Sequence, residues 1–163
     1  MHQLLDQIVG AAKSGMHLVA IGMASAVPDI CAALASEDGR STKERYGDWC
    51  NAYLIGRNFG VVTAEDLYSI RCGVLHQGRF GDLRNNVERV IFTPPGNISF
   101  TDCRIEDAYV YGVVEFCENI CAAAREWYDR HCTDPIIKQN SARMMRYHAK
   151  GLAPYISGVE VIA

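Results

Sequence analysis

The sequence predicts a mainly α chain, a helical bundle of about five helices with a short β-hairpin insertion near 87–101. Apolar residues recur at three- and four-residue intervals over most of the chain. Threonines stand where helices should open and glycines where they should close. Only around Pro94-Pro95-Gly96-Asn97 do β-branched residues flank a turn. About half of the 163 residues are hydrophobic, which fits one core, so a single domain is expected over 1–163.

Residues 2–13 place Leu4, Leu5, Ile8, Ala11 and Ala12 at helical spacing, and Ser14-Gly15 interrupts the pattern. Met16 to Ala26 is apolar on most sides. Pro28 suits the first turn of a further piece, Asp29 to Ala35, so a long helix with a kink or break near Val27-Pro28 is expected. The run from Gly15 to Pro28 is too short to span a bilayer, carries His17 and lacks a basic leader, so it reads as a buried helix without membrane contact. Ser36 to Ser41 is a polar loop. Thr42 then opens Lys43 to Leu54, which gathers Tyr46, Trp49, Cys50, Tyr53 and Leu54 on one side. These aromatics read as core; the alternative gives a tyrosine hydroxyl to Arg71 or to a base of bound RNA.

Thr63-Ala64-Glu65-Asp66 has the pattern of an N-terminal cap, an oxygen for the exposed amides and two carboxylates favoured by the helix dipole. The helix it opens should close at Gln77-Gly78. Arg79 to Asn86 reads as a surface loop with Arg79, Arg84 and Arg89 nearby, and Val87–Thr93 and Ile98–Thr101 as the two strands of the hairpin. Glu106 or Asp107 begins the longest helical pattern, which runs to about Cys132. Its apolar arc, from Tyr109 to Tyr128, covers more than half the circumference, as in a helix surrounded by others or pressed into a dimer interface. Beyond Pro135 the tail is locally basic, with Lys138, Arg143, Arg146, His148 and Lys150. It reads as a solvated face, with RNA contact as the alternative, and Gly158 to Ala163 as a short final strand.

Sixteen basic and 19 acidic side chains give a net charge of −3, which excludes a strongly basic nucleic-acid binder but permits a local basic cleft. Seven cysteines, an odd number without a CxxC pair, suit a reducing cytoplasm. No cofactor or metal is expected: the histidines share no ligand spacing, and His131-Cys132 with Cys117 and Cys121 comes nearest to a metal set.

Arg71 and His76 are the candidate site residues. On a wheel of about 100° per residue, Arg71 falls inside the apolar arc formed by Leu67, Tyr68, Ile70, Cys72, Val74 and Leu75. A guanidinium drawn off water needs a partner. It is either paired internally, with Asp29, Asp48 or Glu44, or it lines a cleft that binds an anion. His76 lies about 140° and about 7.5 Å further along a regular helix, so the two diverge within one subunit. They would converge if the helix loosened near Gly73 or Gly78, or across a two-fold axis. His76 otherwise caps the helix through its dipole.

Arginine offers phosphate a fixed fork of donors, and histidine exchanges protons near neutrality. Arg71-Cys72-Gly73-Val74-Leu75-His76, late in a helix, resembles the R-x(4–6)-H signature of the HEPN superfamily (higher eukaryotes and prokaryotes nucleotide-binding domains). The frame Arg45-Tyr46…Trp49…Tyr53, then Leu67-Tyr68 and Gln77-Gly78, is similar to uncharacterised bacterial proteins of that group, over roughly residues 16–130. The resemblance implies a HEPN-like bundle that forms a homodimer and acts as a metal-independent endoribonuclease at the dimer-interface cleft. His76 would be the general acid/base, and Arg71 would bind the scissile phosphate. RNA and a protein partner such as an antitoxin are the implied partners. Active members often carry Asn, Asp or His straight after the arginine, where this chain has Cys72. Other members keep the fold without catalysis, so the alternative is a non-catalytic dimer that binds a protein or nucleotide, with Arg71 as a structural ion pair.

Overall fold

The computed structural model describes residues 1–80 and 88–163. α1 (His2–Lys13) buries Leu5, Ile8 and Ala12, the face its spacing predicts, and Ser14-Gly15 ends it. α2 (His17–Leu34) is one continuous helix with Pro28 inside it, so there is no break at Val27-Pro28. Because it does not stop at the proline, it is long and apolar enough by length and composition to cross a membrane, which corrects the expectation of a short run. Of its 18-residue window, 56% is buried inside the protein. It packs against α1, α3 (Lys43–Tyr53), α4 (Ala64–Gln77), α5 (Val113–His131) and α6 (Pro135–Ser141), which makes it the central helix of the bundle.

The caps of α3 and α4 form as their residues require. Thr42 Oγ1 accepts the Arg45 amide. Thr63 and Asp66 form a reciprocal capping box, Thr63 Oγ1 accepting the Asp66 amide at 3.2 Å while Asp66 Oδ2 accepts the Thr63 amide at 3.0 Å. Gly78, at φ 65°, closes α4 in the left-handed conformation. Six helices are present among the described residues, mainly α as expected.

The β region differs from the expected hairpin. β1 (Arg89–Thr93) does not pair with residues 98–101, which are not a strand; it pairs in parallel with β3 (Ala108–Gly112), in the register Arg89 to Ala108 and Thr93 to Gly112. The hairpin present joins β2 (Cys103–Ile105) to β3, giving the order β1-β3-β2. Residues 107–112 therefore do not open the long helix, which begins at Val113. All five residues of β3 are buried. A short apolar run of that kind reads equally well as buried strand or buried helix, and strand partners on both sides decide the matter. Arg84 and Val87, part of the expected loop and strand, lie outside the described residues.

Between sheet and bundle runs an aromatic seam. Phe59 stacks on Tyr111 at 5.3 Å between ring centroids, and Phe92 meets Phe116 edge-on at 4.8 Å. Residues from α1 to α6 and from β3 share one continuous core. After α6, β4 (Tyr147–His148) pairs with β7 (Val161–Ile162), and β5 (Gly151–Leu152) with β6 (Ile156–Ser157), so the tail folds back as a nested ribbon.

Candidate functional site

α2 and α4 lie against each other where Gly22 leaves room. A Cβ there would meet Val74 Cγ1 at 3.4 Å and Leu75 Cδ2 at 3.8 Å. This contact brings Asp29, two turns further along α2, within reach of Arg71. Arg71 Nε donates to Asp29 Oδ2 at 2.6 Å, with the two side chains 21% and 16% exposed. The other carboxylate oxygen accepts Ser41 Oγ at 2.7 Å, so both oxygens of Asp29 are engaged. Of the three acids that the sequence offered Arg71, the tertiary structure selects Asp29.

Arg71 and His76 do not diverge. Arg71 Nη1 approaches His76 Nε2 at 3.1 Å and Cys72 Sγ at 3.7 Å. The guanidinium is at the end of a flexible stem, so it crosses a separation that backbone positions alone suggest is too wide. A guanidinium only donates, so in this contact Nε2 accepts and the ring proton belongs on Nδ1. Among the described residues Nη2 has no hydrogen-bond partner. The Arg71 guanidinium also lies 5.7 Å from the Tyr68 ring centroid, a cation–π placement.

Burial works against the Arg71 charge, but the hydrogen bond and charge of Asp29 outweigh it and hold the guanidinium pKa above its ordinary value. Burial, followed by the neighbouring Cys72, pushes the Tyr68 hydroxyl up. The site thus keeps a fixed cation and a neutral phenol beside an exposed imidazole.

Tyr46 does not reach Arg71, since its hydroxyl donates to Ser25 O at 3.2 Å. Its ring meets Tyr68 edge-on at 5.2 Å, so it supports the site through Tyr68. Ser41 and the Tyr68 face are the members that sequence reasoning missed. The signal for Ser41 is weak, a hydroxyl just before the Thr42 cap. Cys117 and Cys121 are buried in the core, where burial pushes both thiols up to about 12. Among the described residues no group of three or more His, Cys, Asp or Glu side chains is placed to hold a metal ion.

Exposed apolar residues adjoin the site. Leu18 and Val19 are one turn before Gly22 on α2, 77% and 61% exposed, and Leu75 on α4 is 42% exposed. The broadly apolar α5, by contrast, spends its apolar arc within the chain, on α1, α2, α3 and β3. No protein-family model matches the chain, and no significant similarity to a curated protein or a solved structure is found.

Proposed function

We propose that the chain is a metal-independent endoribonuclease working at a cleft between two copies, with Arg71 on the scissile phosphate and His76 as general acid/base. The observation that carries this reading is the Arg71 guanidinium, anchored through Nε by Asp29, resting through Nη1 on His76 Nε2, and presenting Nη2 without a hydrogen-bond partner among the described residues. A phosphate oxygen that takes up Nη1 and Nη2 as a fork would release the Nε2 lone pair. That lone pair then accepts the ribose 2′-hydroxyl proton. The 2′ oxygen bonds to phosphorus and the bond to the 5′ oxygen breaks, the leaving oxygen taking a proton from water and the hydroxide so formed recovering the proton that His76 accepted. The products are a 2′,3′-cyclic phosphate and a 5′-hydroxyl. The exposed Leu18 and Val19 on α2 and Leu75 on α4 would supply an apolar surface for the two-fold contact.

A second reading has its own observation. The Arg71–Asp29 pair, at 2.6 Å and largely buried, is also what a structural ion pair in a non-catalytic dimer requires. Incubation with single-stranded RNA in the presence of a chelator separates the two. The wild type is expected to leave cyclic-phosphate ends and His76→Ala to leave the RNA intact. Equal cleavage by both proteins, or none by either, would remove the nuclease reading.

A further inference from the structure

We infer that the cleft between α1, α2 and the C-terminal ribbon is a binding site for an amphipathic carboxylic acid, its chain on the apolar walls and its carboxylate on Arg146. The cleft encloses about 470 Å³, within the roughly 300–1,000 Å³ usual for small-molecule sites. Leu4, Ile30 and Met144 form the inner wall and are half-buried against the core. Met145 and Ile162 form the outer wall and are 77% and 61% exposed, apolar surface that the fold itself leaves uncovered. One methionine in each wall, Met144 and Met145, makes the cleft adaptable to an unbranched chain, because the thioether side chain repacks easily.

The polar groups select the head. Among the described residues no acidic side chain lines the cleft; Arg146 is the charged side chain in its wall, and the Met1 amino group adds a second cation. Arg146 bonds to Ala163 through its backbone amide and carbonyl. Among the described residues its guanidinium has no ion pair or side-chain hydrogen bond, unlike that of Arg71 or Arg125. Beside it, the Tyr147 hydroxyl accepts Gln7 Nε2 at 3.3 Å, which leaves its own proton to donate. A guanidinium and a phenolic donor at the mouth of an apolar cleft suit a carboxylate, and they repel an ammonium head.

The site is separate from Arg71 and His76, so its test is independent of the nuclease reading. Calorimetric titration of the full chain with dodecanoate and with dodecanol, both below their aggregation limits, reads the head-group preference. Saturable one-to-one binding of dodecanoate is expected, with dodecanol about tenfold weaker for want of the charge-assisted bond. Arg146→Ala should reduce that difference at least about threefold. Met145→Asp, at an exposed position, should weaken dodecanoate at least about tenfold with an unchanged melting curve, by placing a like charge on the wall. Absence of saturable binding, equal affinity for acid and alcohol, or a preference undiminished in Arg146→Ala would overturn the assignment.

Discussion

Arg71 is anchored to Asp29 through Nε, a different nitrogen from Nη1, which meets His76, and in the proposed reading this lets one residue serve both the stability and the chemistry of the site. Breaking a buried ion pair leaves one charge uncompensated, which costs about 3–5 kcal/mol when both partners are fully buried. With 21% and 16% exposure, Arg71→Ala is expected to lower unfolding stability by about 2–4 kcal/mol. Asp29→Ala should cost a similar amount, and the double variant clearly less than the sum, because the two changes remove one interaction. Urea melts of the four proteins check this, and an unchanged midpoint in Arg71→Ala would show that the pair carries no stability. That Arg71 needed a partner was legible in its place on the helix wheel. Which acid met it was not, because Asp29 lies 42 residues away and only the α2–α4 contact brings it near.

Among the elements, α4 was the most legible, because its limits rest on local chemistry. Thr63 and Asp66 satisfy the first amides, and Gly78 takes a left-handed turn that other residues resist. β3 was the least legible. Its five residues continue the apolar run into α5 without a polar break, and Gly112 marks the change only in retrospect. Gly112 is needed there, since its amide donates to Phe100 O at 2.6 Å and a Cβ would stand 3.1 Å from that same backbone oxygen and collide with Glu115 Oε2. The Glu115 carboxylate can swing aside, but the Phe100 backbone must move. Gly112→Ala is therefore expected to destabilise the protein by about 1–3 kcal/mol, measurable as a lower urea midpoint with little change in helical circular dichroism. Residues 98–101 look like a strand for their β-branched content, yet nearby Asp102 binds the Gly60 and Val61 amides and ties this stretch to the loop before α4.

For the whole molecule, two consequences follow from how the bundle closes. With α5 packed within the chain, Leu18, Val19 and Leu75 are exposed apolar residues on the two helices that carry Asp29, Arg71 and His76, and they are the ones that the proposed two-fold contact would use. If the proposed two-copy nuclease is right, Leu18→Glu should shift sedimentation from dimer to monomer and abolish RNA cleavage while leaving the melting temperature of the monomer unchanged. A variant that still sediments as a dimer would place the contact elsewhere. The second consequence concerns alkali. Cys117 and Cys121 have an ordinary pKa of 9.0 and are raised to about 12 by burial. Between those values the unfolded chain has lost protons that the folded chain retains, so stability is whole below about pH 9 and falls as pH rises toward 12. The slope approaches about 1.4 kcal/mol per pH unit for each thiol. Urea melts at pH 8, 9.5 and 11 test this, and Cys121→Ala should flatten the decline.

By itself, the sequence determined where α1, α3 and α4 lie, that a central apolar helix fills the core, and that Arg71 requires an anion. These follow from interactions within a turn or two of helix, in which spacing along the chain is also spacing in space. The tertiary structure alone decided that Pro28 lies within an unbroken helix, that residues 108–112 are a strand, that Asp29 anchors Arg71, and that Arg71 reaches His76 within one subunit. Each of these depends on packing or on the reach of a side chain, and neither is written in the order of neighbouring residues.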